Sequence, residues 1–303
     1  MAVQGLVLAG GGGRGAYQAG AYKALYEYGL RPSVIVGTSI GAINGAMIVS
    51  GHHPNSLIRE WRSMSSSRVH RLRRDIWRFA RWTGVYNTDP WAKTLEQQID
   101  IQKVRESPVQ LRVTATEFRT GKLRVFENSE ITIPHILASC SIPVVYPWTM
   151  VNGEHYWDGA VMAEAPLFPA IRAGANEIWV ILLSPVGAHP MPVPRNLLEG
   201  AALAFELALM ASFENYLAQL HRINKDVLAG KNTTQTYVDC TVVAPSQAIP
   251  IDWIMRYDKA QIDFLIDLGY RDTWRAIRKR IRERAGQNAG DMPDRNDYTE
   301  YIA

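Results

Sequence analysis

Cysteine is nearly absent from this chain: Cys140 and Cys240 are its only two among 303 residues. They lie far apart without metal-type spacing, so neither a disulfide framework nor a metal site is expected. No uninterrupted apolar run reaches the roughly 20 residues that span a bilayer. No basic stretch precedes the early apolar run Leu6-Val7-Leu8. These absences predict a soluble, cytoplasmic-type protein. Glycine (23) and proline (16) occur at ordinary levels, which excludes fibrous and low-complexity chains. A nucleic-acid motif is also missing, and the arginines are not interleaved with a stacking platform, so no nucleic-acid partner is expected. The sequon at Asn232-Thr233-Thr234 would matter only in a secretory compartment. What remains is a chain with 47% hydrophobic residues, enough to bury a large core.

The run Gly5-Leu6-Val7-Leu8-Ala9 stops in Gly10-Gly11-Gly12-Gly13-Arg14-Gly15 and enters Ala16 to Leu25. It reads as strand, tight turn and helix, and the amides at such a helix start form an anion site. Three anions compete for it. Gly10-x-Gly12-x-x-Gly15 fits a dinucleotide fingerprint, but the next strand, Ser33 to Val36, ends in Gly37-Thr38-Ser39 with no acid for a ribose. A P-loop needs Gly-Lys-Ser/Thr, and the chain offers Gly13-Arg14-Gly15-Ala16. The third candidate is the oxyanion of acyl transfer, which needs a nearby nucleophile. Gly37-Thr38-Ser39-Ile40-Gly41 supplies a Gly-x-Ser-x-Gly between a β-branched run and a small-residue helix, the strand–turn–helix context of a nucleophile elbow.

Alternation of strands and helices over the first fifty residues predicts a mostly parallel sheet between helical layers, a three-layer α/β/α arrangement, with ligands at the carboxyl edge of its strands. Residues 59–82 then hold eight arginines against Glu60 and Asp75, mixed with Trp61, Trp77, Phe79 and Trp82. On a helix, Arg71, Arg74, Arg78 and Arg81 form one stripe beside Leu72, Ile76 and Phe79. Such a segment, including Trp77, suits an anionic membrane surface, in keeping with a net charge of +4. A cap helix with merely solvated arginines carries the same pattern.

Further strands are expected at Val109–Thr116, Lys122–Phe126 and His155–Trp157, with a short helix over Pro134–Cys140. The stretch Val144 to Trp148 is apolar and proline-stiffened. The strand at His155 leads into Asp158-Gly159-Ala160, which puts a carboxylate on a turn. A buried strand over Ile178–Leu183, a long helix over 197–228 with an apolar stripe from Leu203 to Leu220, a strand over Val238–Val243 and a helix over Asp258–Glu283 complete the chain. One domain over 1–285, with the basic insertion at 59–82, is expected before a polar tail at 286–303. Serine needs a positioned base, usually histidine. Of the seven histidines, only His189 and His221 come late enough for a Ser–acid–His order, and neither stands in a convincing strand-end loop.

Taken together, the glycine turn, the serine elbow and Asp158-Gly159-Ala160 resemble the patatin-like phospholipase family, bacterial members included. Gly10 to Gly15, Gly37 to Gly41, Asp158 to Ala160 and Ala138-Ser139-Cys140-Ser141-Ile142-Pro143 carry the likeness, and Ala165-Pro166 stands where many members have Asn-Pro. The resemblance implies a lipid acyl hydrolase with a Ser39–Asp158 dyad and no histidine. It implies backbone amides of Gly11, Gly12 and Gly13 as the oxyanion hole, supported by Gly10, Arg14, Gly15, Gly37, Gly41 and Gly159. Burial by walls such as Tyr156 and Trp157 is expected to raise the Asp158 pKa, and Arg14 is expected to fix the glycine loop. Phospholipid or another long-chain acyl ester is the implied substrate, at a peripheral membrane location, with no cofactor or calcium. The alternative is a catalytically silent lipid- or nucleotide-binding protein that keeps the glycine loop.

Overall fold

Val34-Ile35-Val36 and Ile178-Trp179-Val180-Ile181 are unbroken apolar runs and are fully buried, as strands inside a parallel sheet covered on both faces must be. The computed structural model describes residues 2–74, 82–186, 193–195, 197–231 and 234–288. In chain order the strands are β1 (Gln4–Leu8), β2 (Val34–Thr38), β3 (Arg71–Leu72), β4 (Tyr86–Asn87), β5 (Gln110–Glu117), β6 (Lys122–Glu127), β7 (Thr149–Val151), β8 (Glu154–Asp158), β9 (Glu177–Ile181) and β10 (Asp239–Val243). The helices are α1 (Ala16–Tyr28), α2 (Ile40–Val49), α3 (Pro54–Ser63), α4 (Ser66–Val69), α5 (Asp89–Gln98), α6 (Ile101–Glu106), α7 (Ile133–Ser139), α8 (Phe168–Arg172), α9 (Leu197–Leu228) and α10 (Lys259–Asn288).

The main sheet runs β10-β9-β1-β2-β5-β8-β7, with β6 also on β5. Its five strands from β10 to β5 are mutually parallel, whereas β6, β8 and β7 join antiparallel. One apolar cluster joins α1, α2, α3, α7 and α10 to the sheet, and a second joins α8 and the later part of α9 to it. This is the α/β fold expected from the alternation, with a helical C-terminal part. The apolar stripe of α9 divides: Phe213 and Leu220 are buried, while Leu207 is exposed.

The basic segment departs from the expected helix. Arg71 and Leu72 are a strand paired antiparallel to Tyr86 and Asn87, so the arginine stripe does not begin on a helix. The chain leaves α4 in extended conformation at His70, whose buried ring bonds the Tyr146 hydroxyl at 2.9 Å through Nδ1. Anchoring that ring takes precedence over helical continuation. Arg71 and Arg74 are exposed; Trp77, Arg78 and Arg81 lie outside the described residues, as does His189.

Candidate active site

Ser39 and Asp158 meet because two strands end against each other along one edge of β5. Strand β2 pairs with the first part of β5, as far as Thr38 opposite Thr114. Strand β8 takes up the same edge from the other direction and ends with Asp158 opposite Ala115, while β6 occupies the far edge. The residue after Thr38 therefore arrives beside the last residue of β8. The joint is pinned from below, where the Thr38 and Thr114 hydroxyls lie 2.7 Å apart. The Thr116 hydroxyl also donates to the Asp158 carbonyl at 2.9 Å.

Ser39 has φ 55° and ψ −125°, a conformation that side chains other than glycine rarely adopt. It heads α2, its side chain is buried, and its amide donates to Ser139 Oγ at 2.8 Å. The sharp bend brings Gly41 onto β1: a Cβ there would meet the Leu8 carbonyl. Only glycine lets the elbow close so near another backbone.

Burial pushes the Asp158 carboxyl up to about 7, with the neighbouring Ser39 hydroxyl and the hydrogen bond from the Ala160 amide acting the other way. The Ala160 amide donates to Oδ1 at 2.8 Å, and the Asp158 amide donates to the Ser141 carbonyl at 2.9 Å. Cys140 adjoins the same pair. Its buried thiol is raised well above the ordinary range, first by burial and then by the Asp158 charge, with a Ser39 hydrogen bond acting the other way. Trp157 is not a wall of this site. Strand alternation turns it to the opposite face from Asp158, against Phe118 at 4.4 Å between ring centroids, whereas Tyr156 packs on Phe126 at 5.4 Å.

The glycine turn stands beside the serine: a Cβ on Gly10 would lie 3.2 Å from Ser39 Cβ and 3.4 Å from Ala160 Cβ. Gly10 donates its amide to the Glu164 carbonyl at 3.3 Å, and Arg14 donates its own to the Gly11 carbonyl at 3.1 Å. Gly11 (φ 151°) and Gly12 (φ 55°) lead into a 3-10 turn at Gly12–Gly15, continuous with α1. The amides of Gly11, Gly12 and Gly13 thus sit at the open start of a helical run, where no intrahelical partner exists. The turn is locked from behind: Gln18 donates to the Ala9 carbonyl at 2.8 Å, Asn44 to the Gly15 carbonyl at 3.0 Å, and Trp61 to Asn44 at 2.9 Å.

Arg14 is buried and turns away from the turn's backbone. Its guanidinium donates to Glu206 Oε1 at 2.7 Å, Ser184 Oγ at 3.3 Å and the Ile249 carbonyl at 3.2 Å. Glu164 lies close by, raised to about 8 by burial and by the Glu206 charge, with Arg14 pulling it down. On the other side of the turn, a Cβ on Gly12 would meet the Ile254 carbonyl, and one on Gly13 the carbonyls of Arg256 and Trp253. Ser184, Glu206 and the backbone of Trp253 to Arg256 were not singled out by sequence reasoning, since none belongs to a motif, and Ser139 was read only as part of the Ala138–Pro143 block.

The histidine rings have other partners. His52 lies 3.1 Å from Ser56 Oγ and 2.8 Å from the Gln98 carbonyl, and His135 lies 2.7 Å from Thr132 Oγ1. His221 is exposed on α9. Among the described residues, no group of three or more His, Cys, Asp or Glu side chains is placed to hold a metal. None of the described helices is long and apolar enough to cross a membrane.

A strained serine after one strand and a buried carboxyl at the end of another thus stand beside a glycine turn on an α/β, patatin-like fold. The patatin-like phospholipase family model matches residues 6–171, and the chain belongs to that family. It is 27% identical over 187 residues to a patatin-like phospholipase domain-containing protein of Caenorhabditis elegans, covering 58% of this chain and 16% of that one. An NTE family protein of Mycobacterium tuberculosis is 26% identical over 188 residues, 62% of this chain and 50% of its own. Lysophospholipase nte1 of Aspergillus terreus is 60% identical over 43 residues, 14% of this chain and 3% of its own. The chain thus spans half or less of the length of these relatives. The solved structure of VipD from Legionella pneumophila aligns with a TM-score of 0.48 at 14% identity, over 92% of this chain and 67% of that one.

Proposed function

We propose that the protein is a lipid acyl hydrolase that cleaves carboxylic esters of membrane lipids through Ser39 and Asp158, without histidine. The observation that carries this reading is the junction on β5, where a strained serine follows the end of β2 and a buried carboxyl near neutrality in pKa ends β8 beside it. Asp158 in its ionised form takes the Ser39 proton as Oγ bonds to the ester carbonyl carbon. The amides of Gly11, Gly12 and Gly13 receive the negative charge that develops on the carbonyl oxygen. Collapse breaks the bond to the alkoxide, which leaves with the proton from Asp158. Water then attacks the acyl-serine with Asp158 again as base, releasing the fatty acid and restoring Ser39.

The hydrolytic unit extends in this proposal to residue 285, because β9, β10 and α10 complete the sheet and its cover, and the protein works at a membrane surface. The test is labelling by a fluorophosphonate together with product analysis on phospholipid vesicles. Wild type is expected to be labelled at Ser39 and to release fatty acid; Ser39→Ala is expected to do neither. Labelling elsewhere with fatty-acid release retained in Ser39→Ala would overturn the assignment.

A further inference from the structure

Strand β5 runs three residues beyond the level at which Thr38 pairs with Thr114, and Phe118 follows it, about 13 Å past Thr38 along the strand direction. There the β7–β8 hairpin joins β5, and alternation sends Phe118, Trp157, His155, Met150 and Trp148 to one face, opposite Asp158. The rings touch: Phe118 lies 5.7 Å from Trp148, and Trp148 lies 6.3 Å from His155, between centroids. Phe118, Trp148 and Met150 are exposed, Met150 by 63%. Val144 is 75% exposed, with φ 69°, a conformation a β-branched residue rarely adopts. An apolar, aromatic and locally strained patch of this kind marks a contact surface.

The charge around it is one-sided. The Val85 amide donates to the Val144 carbonyl and the Arg73 amide to the Val85 carbonyl, so the β3–β4 hairpin, with exposed Arg71, Leu72 and Arg74, is tied to this loop. Acids around it are engaged locally: Glu154 with Arg119 at 3.3 Å, Glu130, which shares a cleft with Met150, with Arg124 at 3.1 Å, and Glu117 with the Thr120 hydroxyl. Trp, Phe and Met beside cations suit a boundary between acyl chains and anionic headgroups.

We propose that this face is the membrane-docking surface. Phe118, Val144, Trp148 and Met150 enter the acyl boundary of an anionic lipid surface, and Arg71 and Arg74 lie among its headgroups. The inference rests on the reading of the site as a lipid hydrolase. It explains how the carboxyl edge of the sheet, where Ser39 lies, is brought to a bilayer.

The experiment uses the intact chain with Ser39→Ala, so that no lipid is consumed, and co-sedimentation with phosphatidylcholine vesicles with and without phosphatidylglycerol. Wild type is expected to bind the anionic vesicles, more weakly as salt rises. Phe118→Ser/Trp148→Ser, and separately Met150→Asp, are expected to weaken binding on the order of tenfold or more. With Ser39 restored, the same variants should hydrolyse a water-soluble short-chain ester like wild type, which shows that fold and site are intact. Vesicle binding unchanged in both variants would overturn the proposal. So would a wild-type dimer that the substitutions dissociate without loss of vesicle binding, since a second copy would then cover the face. Patch-dependent vesicle binding without any ester hydrolysis would sink the hydrolase reading while leaving the surface standing.

Discussion

Gln261 holds the backbone that presses on Gly13. Its buried side-chain amide donates to the carbonyl of Trp253 at 3.0 Å and to that of Arg256 at 2.9 Å. Those are the two carbonyls a Cβ on Gly13 would strike. The segment lies beyond residues 6–171 of the family match, yet it forms one side of the glycine turn. Replacing Gln261 by Met preserves volume and leaves the two carbonyls without that donor, each costing about 1–3 kcal/mol where it is left buried and unsatisfied. The backbone behind Gly13 then relaxes, and its amide loses aim at the oxyanion that it is proposed to receive. The expected result is a fall in kcat of roughly tenfold on a soluble ester, smaller than the loss of a whole oxyanion donor. KM is expected to stay within about threefold. Steady-state kinetics would settle it, and an unchanged kcat would show that the clasp merely supports the fold.

The sheet, the glycine turn, the elbow and the carboxylate turn were legible because each is a local pattern. Val34 to Val36 must be buried, Gly37 and Gly41 must flank a bend, and Asp158 must end a strand. The clasp was not legible, because Gln261 looks like any polar residue near the start of a helix until the fold brings it to Trp253. Nor was the strand at Arg71. An arginine every third or fourth residue fits a helix, and the fixing of His70 on Tyr146 is a long-range contact that no local pattern reports. The abutment of β2 and β8 along β5 belongs to this second class: two motifs were readable, while the shared edge that joins them appears only in the register.

In the proposed mechanism Asp158 ties activity and stability to pH in opposite directions. With its carboxyl raised to about 7, the fraction able to accept the Ser39 proton grows as pH rises through 7. For a soluble ester, kcat/KM is expected to climb through that region and level off above it. The linkage has the other sign. A carboxyl raised on folding favours the folded state below its unfolded pKa near 4, and that advantage is lost as pH rises through about 7. Asp158→Asn should therefore be inactive and yet more stable than wild type at pH 8, by an amount on the order of a few kcal/mol. The gain should shrink toward pH 4. Thermal unfolding of both proteins across this range is the measurement, and a variant less stable than wild type at pH 8 would contradict the burial argument.

Arg14, Glu206 and Glu164 form a buried set in which one cation faces two carboxyls. Glu206 holds the ion pair at 2.7 Å. Glu164 stays protonated to about 8 because it is buried and because Glu206 already carries the charge. Removing Glu206 removes that repulsion, so Glu164 can ionise and offset Arg14 in its place. Glu206→Gln alone is accordingly expected to destabilise by about 1–2 kcal/mol, less than the roughly 3–5 kcal/mol typical of a buried pair broken on one side. Glu164→Gln alone should change little below pH 8, since a neutral amide replaces a neutral acid. The double variant has no carboxyl left to balance Arg14, and its loss should exceed the sum of the singles by at least about 1 kcal/mol. Denaturant unfolding of the four proteins at pH 7 closes the cycle. Strict additivity would mean that Glu164 never takes over the charge, and that Arg14 depends on Ser184 and the Ile249 carbonyl instead.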